Sequence, residues 1–118
     1  ITEAGRLELF NWLQTPQPAS EIRLAWLIQI FFAGRLSDEK IIALLEHQLQ
    51  IYRQRLQGFS AIPPETHDQM EEGSPRDRFF WLLTVDYGVA NAIFQVRWLE
   101  TVIISLRKGE YHLPTLES

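Results

Sequence analysis

The side chains that most often carry out catalysis are few and widely spaced in this sequence. Its three histidines, His47, His67 and His112, fall in three separate regions, and no His-Glu-x-x-His spacing occurs. The chain has no cysteine, which excludes thiolate nucleophiles, disulfides and cysteine metal ligands. A Gly-x-Ser-x-Gly nucleophile turn and a glycine-rich phosphate loop are also missing. We therefore predict no catalytic residues and a protein that is not an enzyme.

One cluster has the right side chains to gather a cation. His67, Asp68, Glu71 and Glu72 offer an imidazole and three carboxylates within a short stretch. Two prolines and a glycine in the same stretch favour turns over a rigid coordination shell. We expect these side chains to be solvated, and we predict neither a metal site nor a cofactor.

Composition and charge indicate one globular domain that lacks a basic surface. The chain has 118 residues, of which 46% are hydrophobic and 22% charged, and its net charge is -4. Residues 59–74 hold all of that net charge, and we expect them to form a mobile acidic loop between two helices. An acidic chain lacks the footprint of a DNA-binding domain. The apolar run over 24–33 is too short to span a bilayer, so we predict no membrane partner.

Helical spacing dominates the pattern, and no segment shows the alternation typical of a strand. Thr2 is expected to cap a first helix that Pro16 and Pro18 end. A second helix is expected to begin at Ser20 and to stop at Gly34. Because it is apolar on nearly every side, we expect this second helix to be buried.

Two longer helices follow in the predicted all-α, four-helix fold. The third begins at Ser37, runs to about Gly58 and carries one apolar stripe. The fourth covers residues 77–108 and would be about 48 Å long. A compact chain of this size has a diameter of only about 35 Å. Part of the fourth helix must therefore project, or another surface must cover it.

The fourth helix has two apolar faces. Its first face contains Phe80, Leu83, Tyr87, Ala90, Phe94, Trp98 and Thr101. Its second face contains Leu82, Val85, Val89, Ala92, Ile93, Val96, Leu99 and Ile103. One face suffices for packing within the chain, so we predict that the other is the interface of a two-fold homodimer. Our candidate interface is the first face, but the pattern alone does not decide between the two. Alternatively, helices two and three cover both faces within one subunit.

Two further features of the pattern concern the dimer and a ligand. Asp86 and Arg97 lie three turns apart on one border of the fourth helix, too far to pair within a chain, although they could meet across an antiparallel two-fold. The aromatic content is high, and part of it could line a pocket for a flat apolar ligand. The candidate pocket residues are Trp26, Phe31, Phe32 and Trp81. The alternative is that these aromatic side chains fill a core or an interface.

Four segments, in order, resemble PadR-family transcriptional regulators. They are Ile1–Arg6 with Leu9 and Trp12-Leu13, then Leu27–Gly34, then Ala43–Leu49, then Leu82–Gly88 with Trp98–Glu100. The first is similar to the chain that leaves the wing of a winged-helix domain. The others are similar to the helices of the C-terminal domain that follows.

The resemblance implies a cytoplasmic, dimeric bacterial regulator. In that family an N-terminal winged helix binds operator DNA, while the C-terminal helical domain dimerises and in some members senses phenolic acids or hydrophobic drugs. Residues 1–14 would then leave a winged-helix domain absent from this sequence, and residues 15–118 would form the dimerisation and effector domain. Two alternatives stay open: a helical adaptor for another protein, and a constitutive dimeriser with no ligand.

Overall fold

The computed structural model describes residues 2–19, 24–60 and 74–114, and these ranges contain helices, turns and extended connections but no strand. The helices are α1 (Glu3–Gln14), α2 (Ala25–Phe31), α3 (Asp38–Ser60) and α4 (Pro75–Arg107), with a single 3-10 turn at Ala33–Arg35. The predicted all-α fold with a long last helix is confirmed. Residues 61–73, which hold most of the predicted acidic loop and the four side chains considered as cation ligands, lie outside the described ranges. Within those ranges no cluster of three potential metal ligands occurs.

A side-chain cap starts the first helix where the sequence predicts it, and a second cap starts the last helix at Pro75, two residues before the predicted start. The Thr2 hydroxyl accepts a hydrogen bond from the Gly5 amide at 2.9 Å. At the start of α4 the Ser74 hydroxyl accepts from the Asp77 amide at 3.2 Å, and the Asp77 carboxylate accepts from the Ser74 amide at 3.3 Å. This reciprocal capping box satisfies two amides that have no partner inside the helix.

The core is the seam between α3 and α4. Its buried residues recur at intervals of three and four on both helices, which places them on one face of each. They are Leu45, Leu49 and Tyr52 on α3, Ala92, Leu99 and Ile103 on α4, with Trp26 of α2 and Ala33 of the 3-10 turn. The second face of the fourth helix is therefore the one that packs inside the subunit.

Contacts at the two ends of this seam show that α3 and α4 run antiparallel. Near the end of α3, the Phe59 ring lies so close to Gly88 that a methyl group there would come within 2.6 Å of it. Near the beginning of α3, Glu46 accepts a hydrogen bond from the Arg107 guanidinium at the far end of α4. Glycine at position 88 thus permits the close approach of the two helices at one end.

The prediction that the whole second helix is buried is wrong. Only Trp26 of α2 is buried, and it packs between Tyr52 and Trp98. The opposite side exposes Leu27, Ile28 and Phe31. The physical reason is size: α2 has seven residues and docks on the α3–α4 seam from one side, so its outer side meets no other described element. The expected start at Ser20 lies outside the described residues.

The fold is long, and much apolar surface stays uncovered. Its radius of gyration is 20.0 Å and its extents are 60 × 32 × 26 Å, whereas a compact chain of this length has a radius of gyration of about 13.5 Å. The 33 residues of α4 rise by about 50 Å, and the part before Gly88, residues 75–87, extends past the end of α3. Helix α1 buries none of its residues.

Replacing Leu99 with alanine should strongly destabilise the protein, because this side chain is fully buried between α3 and α4. We expect Leu99→Ala to lower the free energy of unfolding by about 2–5 kcal/mol in urea denaturation at fixed protein concentration. The matched control is Leu113→Ala, at a leucine that is 63% exposed, which should change stability by less than about 0.5 kcal/mol. Equal effects of the two substitutions would contradict the assigned core.

Candidate dimerisation surface

An apolar stripe runs along the side of α4 that faces away from α3. Six of the seven residues predicted for the dimer interface are exposed there: Phe80, Leu83, Tyr87, Ala90, Phe94 and Thr101. The exposed fraction is 72% for Tyr87 and 54% for Phe94. Large aromatic side chains exposed in a row along one helix face mark a contact surface.

Trp98, the seventh residue, is placed differently. It is half-buried, and its ring lies 6.3 Å from that of Trp26 at a tilt of 57°. The indole thus contacts the internal core from the border of the exposed stripe. The sequence pattern placed Trp98 within the stripe because a rotation of about 100° per residue puts it close to the same helix face as Phe94, four residues earlier.

The exposed stripe instead follows a repeat of seven residues. After Phe94 it continues through Arg97, Thr101 and Ile104, and Ile104 is 51% exposed. We define the α4 seam as the eight positions spaced alternately by three and four: Phe80, Leu83, Tyr87, Ala90, Phe94, Arg97, Thr101 and Ile104. This spacing is that of the a and d positions of a coiled coil. Sequence reasoning missed Arg97 and Ile104, which a search for a 3.5-residue period would have found.

The middle of the seam is shaped to receive side chains. An open groove of about 540 Å³ is lined by Ala90, Ile93, Phe94, Arg97, Trp98 and Thr101, with Pro114 of the C-terminal tail at its border. Two overlapping sets of these residues have the spacing i, i+3, i+4 and i+7. The first set is Ala90, Ile93, Phe94 and Arg97, and the second is Phe94, Arg97, Trp98 and Thr101. Four residues with this spacing form the hole that accepts a knob in coiled-coil packing.

Two charged groups, Arg97 within the α4 seam and Asp86 beside it, have no ion-pair partner in the described part of the chain. Asp86 and Arg97 are both exposed, and the ion pairs recorded between α3 and α4 use other residues, Arg53 with Glu100 and Glu46 with Arg107. The Thr101 hydroxyl donates to the Arg97 backbone carbonyl at 2.8 Å, a bond that does not involve the guanidinium.

The four residues predicted to line a ligand pocket do not come together. Trp26 lies in the core, and its indole N–H finds no hydrogen-bond partner among the described residues. Phe31 and Phe32 are exposed and pack edge to face, with centroids 4.9 Å apart. Trp81 is half-buried near the start of α4, seventeen residues before Trp98 and therefore about 25 Å away along the helix. The pocket stays a prediction.

A different cavity, of about 430 Å³, lies where α2, α3 and the end of α4 meet. It is lined mainly by apolar side chains, including Ile30, Ile41 and Leu106. Its polar border is Tyr111, whose hydroxyl donates a hydrogen bond to Asp38 Oδ2 at 3.0 Å. This hydrogen bond, together with the negative charge of Asp38, raises the pKa of Tyr111 above its ordinary value. The bond ties the C-terminal tail to the first turn of α3.

Helix α4 is also long and apolar enough, by length and composition alone, to cross a membrane. The structure places a second helix against it, however. Arg53 of α3 lies 3.9 Å from Glu100, and Glu46 of α3 pairs with Arg107. Burying these groups in lipid together with α4 would carry the large cost of charges inside a bilayer.

The chain belongs to the family described as the virulence activator alpha C-terminal domain, whose profile matches residues 22–107. A search of curated proteins finds no significant match.

Solved structures with the same fold include PadR-like transcriptional regulators. A PadR-like regulator from Bacillus cereus aligns with a TM-score of 0.73 at 20% identity, over 93% of this chain and 62% of the other. Bacillus subtilis PadR with p-coumaric acid gives 0.72 at 20% identity, over 90% and 65%. The same protein with operator DNA gives 0.71 at 22% identity, over 90% and 59%. The resemblance to this family is confirmed, and the chain spans less than two thirds of the length of these relatives.

Removing the Asp38 charge should lower the pKa of Tyr111, because its hydrogen bond and negative charge are what raise it. In Asp38→Asn the phenolate absorbance of Tyr111 should therefore develop at lower pH, and Tyr111→Phe identifies which titration step belongs to this residue. A raised folded pKa means that the bond stabilises the tail below the ordinary tyrosine value of 10.0 and is lost as the pH rises through the folded value. An unchanged titration in Asp38→Asn would show that the two groups do not interact.

Proposed function

We propose that this chain is the dimerisation domain of a PadR-like transcriptional regulator and that the α4 seam is its homodimer interface. The observation that carries the proposal is the uncovered apolar side of α4, from Phe80 to Ile104. A coiled-coil repeat on a helix whose other side is already packed needs a second apolar helix. A second copy of the same chain supplies one by two-fold symmetry.

The total surface of the chain supports this proposal. Its accessible surface is 9853 Å², whereas a compact monomer of 13.8 kDa exposes about 6,600 Å². The excess of about 3,200 Å² is several times the roughly 800 Å² that each partner buries in a standard interface. A dimer through α4 alone would leave apolar surface on α1 and α2 for other contacts.

In the whole protein, a winged-helix domain would precede residue 1 and bind operator DNA in the cytoplasm. The support is the likeness to Bacillus subtilis PadR, which was solved with operator DNA. Helix α1 would join the two domains, because it carries an exposed apolar edge of Leu7, Phe10 and Leu13 and buries nothing within this chain. The dimer would hold two winged helices at the spacing of two half-sites. The chain itself has no catalytic role in this proposal.

We also propose that a small aromatic ligand shifts this dimer between two arrangements. The support is limited to two findings: Bacillus subtilis PadR was solved with p-coumaric acid, and the Trp26 indole N–H is buried without a described partner. Trp26, Phe31, Phe32 and Trp81 remain the candidate contacts, although a shared pocket would require α2 to move. A constitutive dimer without a ligand is the alternative.

Replacing Phe94 with aspartate should dissociate the dimer without unfolding the subunit. Phe94 is about half exposed in one chain and would be buried in the dimer, where an unpaired charge costs about 3 kcal/mol or more. We expect the dissociation constant to rise at least about a hundredfold, as measured by light scattering after size exclusion. The helical circular dichroism should persist.

The control is Gln54→Asp, which adds the same carboxylate on the exposed side of α3 and should leave the dimer intact. A wild-type monomer at tens of micromolar would refute the proposal. A monomer that assembles only with another protein would favour the adaptor, and one that requires detergent or binds vesicles would favour a membrane role for α4.

p-Coumaric acid separates a ligand-responsive dimer from a constitutive one. A ligand that binds only the folded state stabilises it by about 2.7 kcal/mol at a hundredfold excess over its dissociation constant. We expect a rise in melting temperature with ligand concentration that is reduced in Trp26→Phe. No rise at millimolar p-coumaric acid, with the dimer intact, would favour the constitutive dimeriser for this compound class.

A further inference from the structure

We propose that the two α4 helices pair antiparallel in one register, in which Tyr87 of each subunit inserts beside Arg97 of the other. This inference rests on the proposed dimer and specifies its geometry. The seam positions facing each other would be Phe80 with Ile104 of the partner subunit, Leu83 with Thr101 of the partner subunit, Tyr87 with Arg97 of the partner subunit, and Ala90 with Phe94 of the partner subunit. Two-fold symmetry repeats each pair, so all eight seam positions are used.

The sizes of the seam residues favour this register. At the centre, the small Ala90 faces the large Phe94 of the partner subunit, and this alternation of small and large fills space without voids. A parallel pair would place Ala90 against Ala90 of the partner subunit and Phe94 against Phe94 of the partner subunit. That arrangement leaves a gap in one layer and crowds the next.

The charges favour the same arrangement. In an antiparallel pair, Arg97 lies level with Tyr87 of the partner subunit and next to Asp86 of the partner subunit, where it meets an aromatic face and an opposite charge. In a parallel pair, Arg97 would face Arg97 of the partner subunit, and like charges would meet at the seam. Within one chain neither Asp86 nor Arg97 has an ion-pair partner among the described residues.

The groove on α4 supplies the receiving site. The hole formed by Phe94, Arg97, Trp98 and Thr101 lies level with Tyr87 of the partner subunit in this register. Tyr87 is the most exposed aromatic residue of the α4 seam, at 72%. In this register its ring would contact Trp98 and Arg97 of the partner subunit. The adjacent hole, which begins at Ala90, would receive Ala90 of the partner subunit.

A shift by one heptad in either direction is less favourable. It would leave seam residues at both ends without a facing partner, so fewer apolar layers would form. It would also separate Asp86 from Arg97 of the partner subunit by about 10 Å along the helix. The complete seam and its charges therefore select one register.

Cysteine cross-linking tests the register cleanly, because the chain has no cysteine of its own. Ile104→Cys co-expressed with Phe80→Cys should form a disulfide-linked dimer under mild oxidation. Ile104→Cys alone should not, because the two copies of residue 104 would lie about 36 Å apart along the helices. Ile104→Cys with Tyr87→Cys should not, because an offset of about 10 Å exceeds the reach of a disulfide.

The outcomes separate the register from the existence of the dimer. Cross-linking of Ile104→Cys alone would establish a parallel pair, and cross-linking with Tyr87→Cys would establish the shifted register; each overturns this inference while the dimer stands. A monomeric wild-type protein overturns both. If Phe80→Cys fails to dimerise, Leu83→Cys with Thr101→Cys tests the same register. The Leu83→Cys and Thr101→Cys variants should cross-link when they are co-expressed, and neither should cross-link when it is expressed alone.

Discussion

The antiparallel contact between α3 and α4 is the interaction on which the rest of this structure depends. Leu45 and Leu99 are fully buried at its centre, and the ion pair of Glu46 with Arg107 closes one end. Because packing against α3 fixes the rotation of α4 about its axis, it also fixes which α4 residues point away from α3. The outward direction of Tyr87 and Phe94 is a consequence of the inward direction of Leu99.

The proposed use of α4 for two contacts, one with α3 and one with a second copy, would explain several unusual properties of the chain. A helix that packs on both sides is apolar on both sides, which gives α4 the composition of a membrane span although α3 lies along half of it. It also explains the excess of accessible surface over that of a compact monomer. In the proposed dimer, the same helix would stabilise the subunit and specify how the subunits assemble.

The sequence predicted the helices and two of their capping residues, because Thr2 and Ser37 act locally on the amides that follow them. It separated the two faces of α4, and the structure buries Ala92, Leu99 and Ile103 of the second face against α3. It failed where tertiary context decides: α2 is apolar all round, yet only Trp26 is covered. It also missed Ile104, because a straight-helix rotation drifts away from a seven-residue repeat over four heptads. The pairing of Trp98 with Trp26 depends on how α2 docks, which no local pattern encodes.

The tryptophans are placed so that the protein carries its own optical reporters. Trp26 and Trp98 lie 6.3 Å apart, between the short helix and the long one, whereas Trp12 sits in water on α1. A displacement of α2 would expose Trp26 and Trp98 to solvent and shift their fluorescence emission to longer wavelength. Of these three tryptophans, docking of a neighbouring domain on α1 would change the environment of Trp12 alone. With Trp81, the fourth tryptophan, replaced by phenylalanine, intrinsic fluorescence can follow each event separately without any attached label.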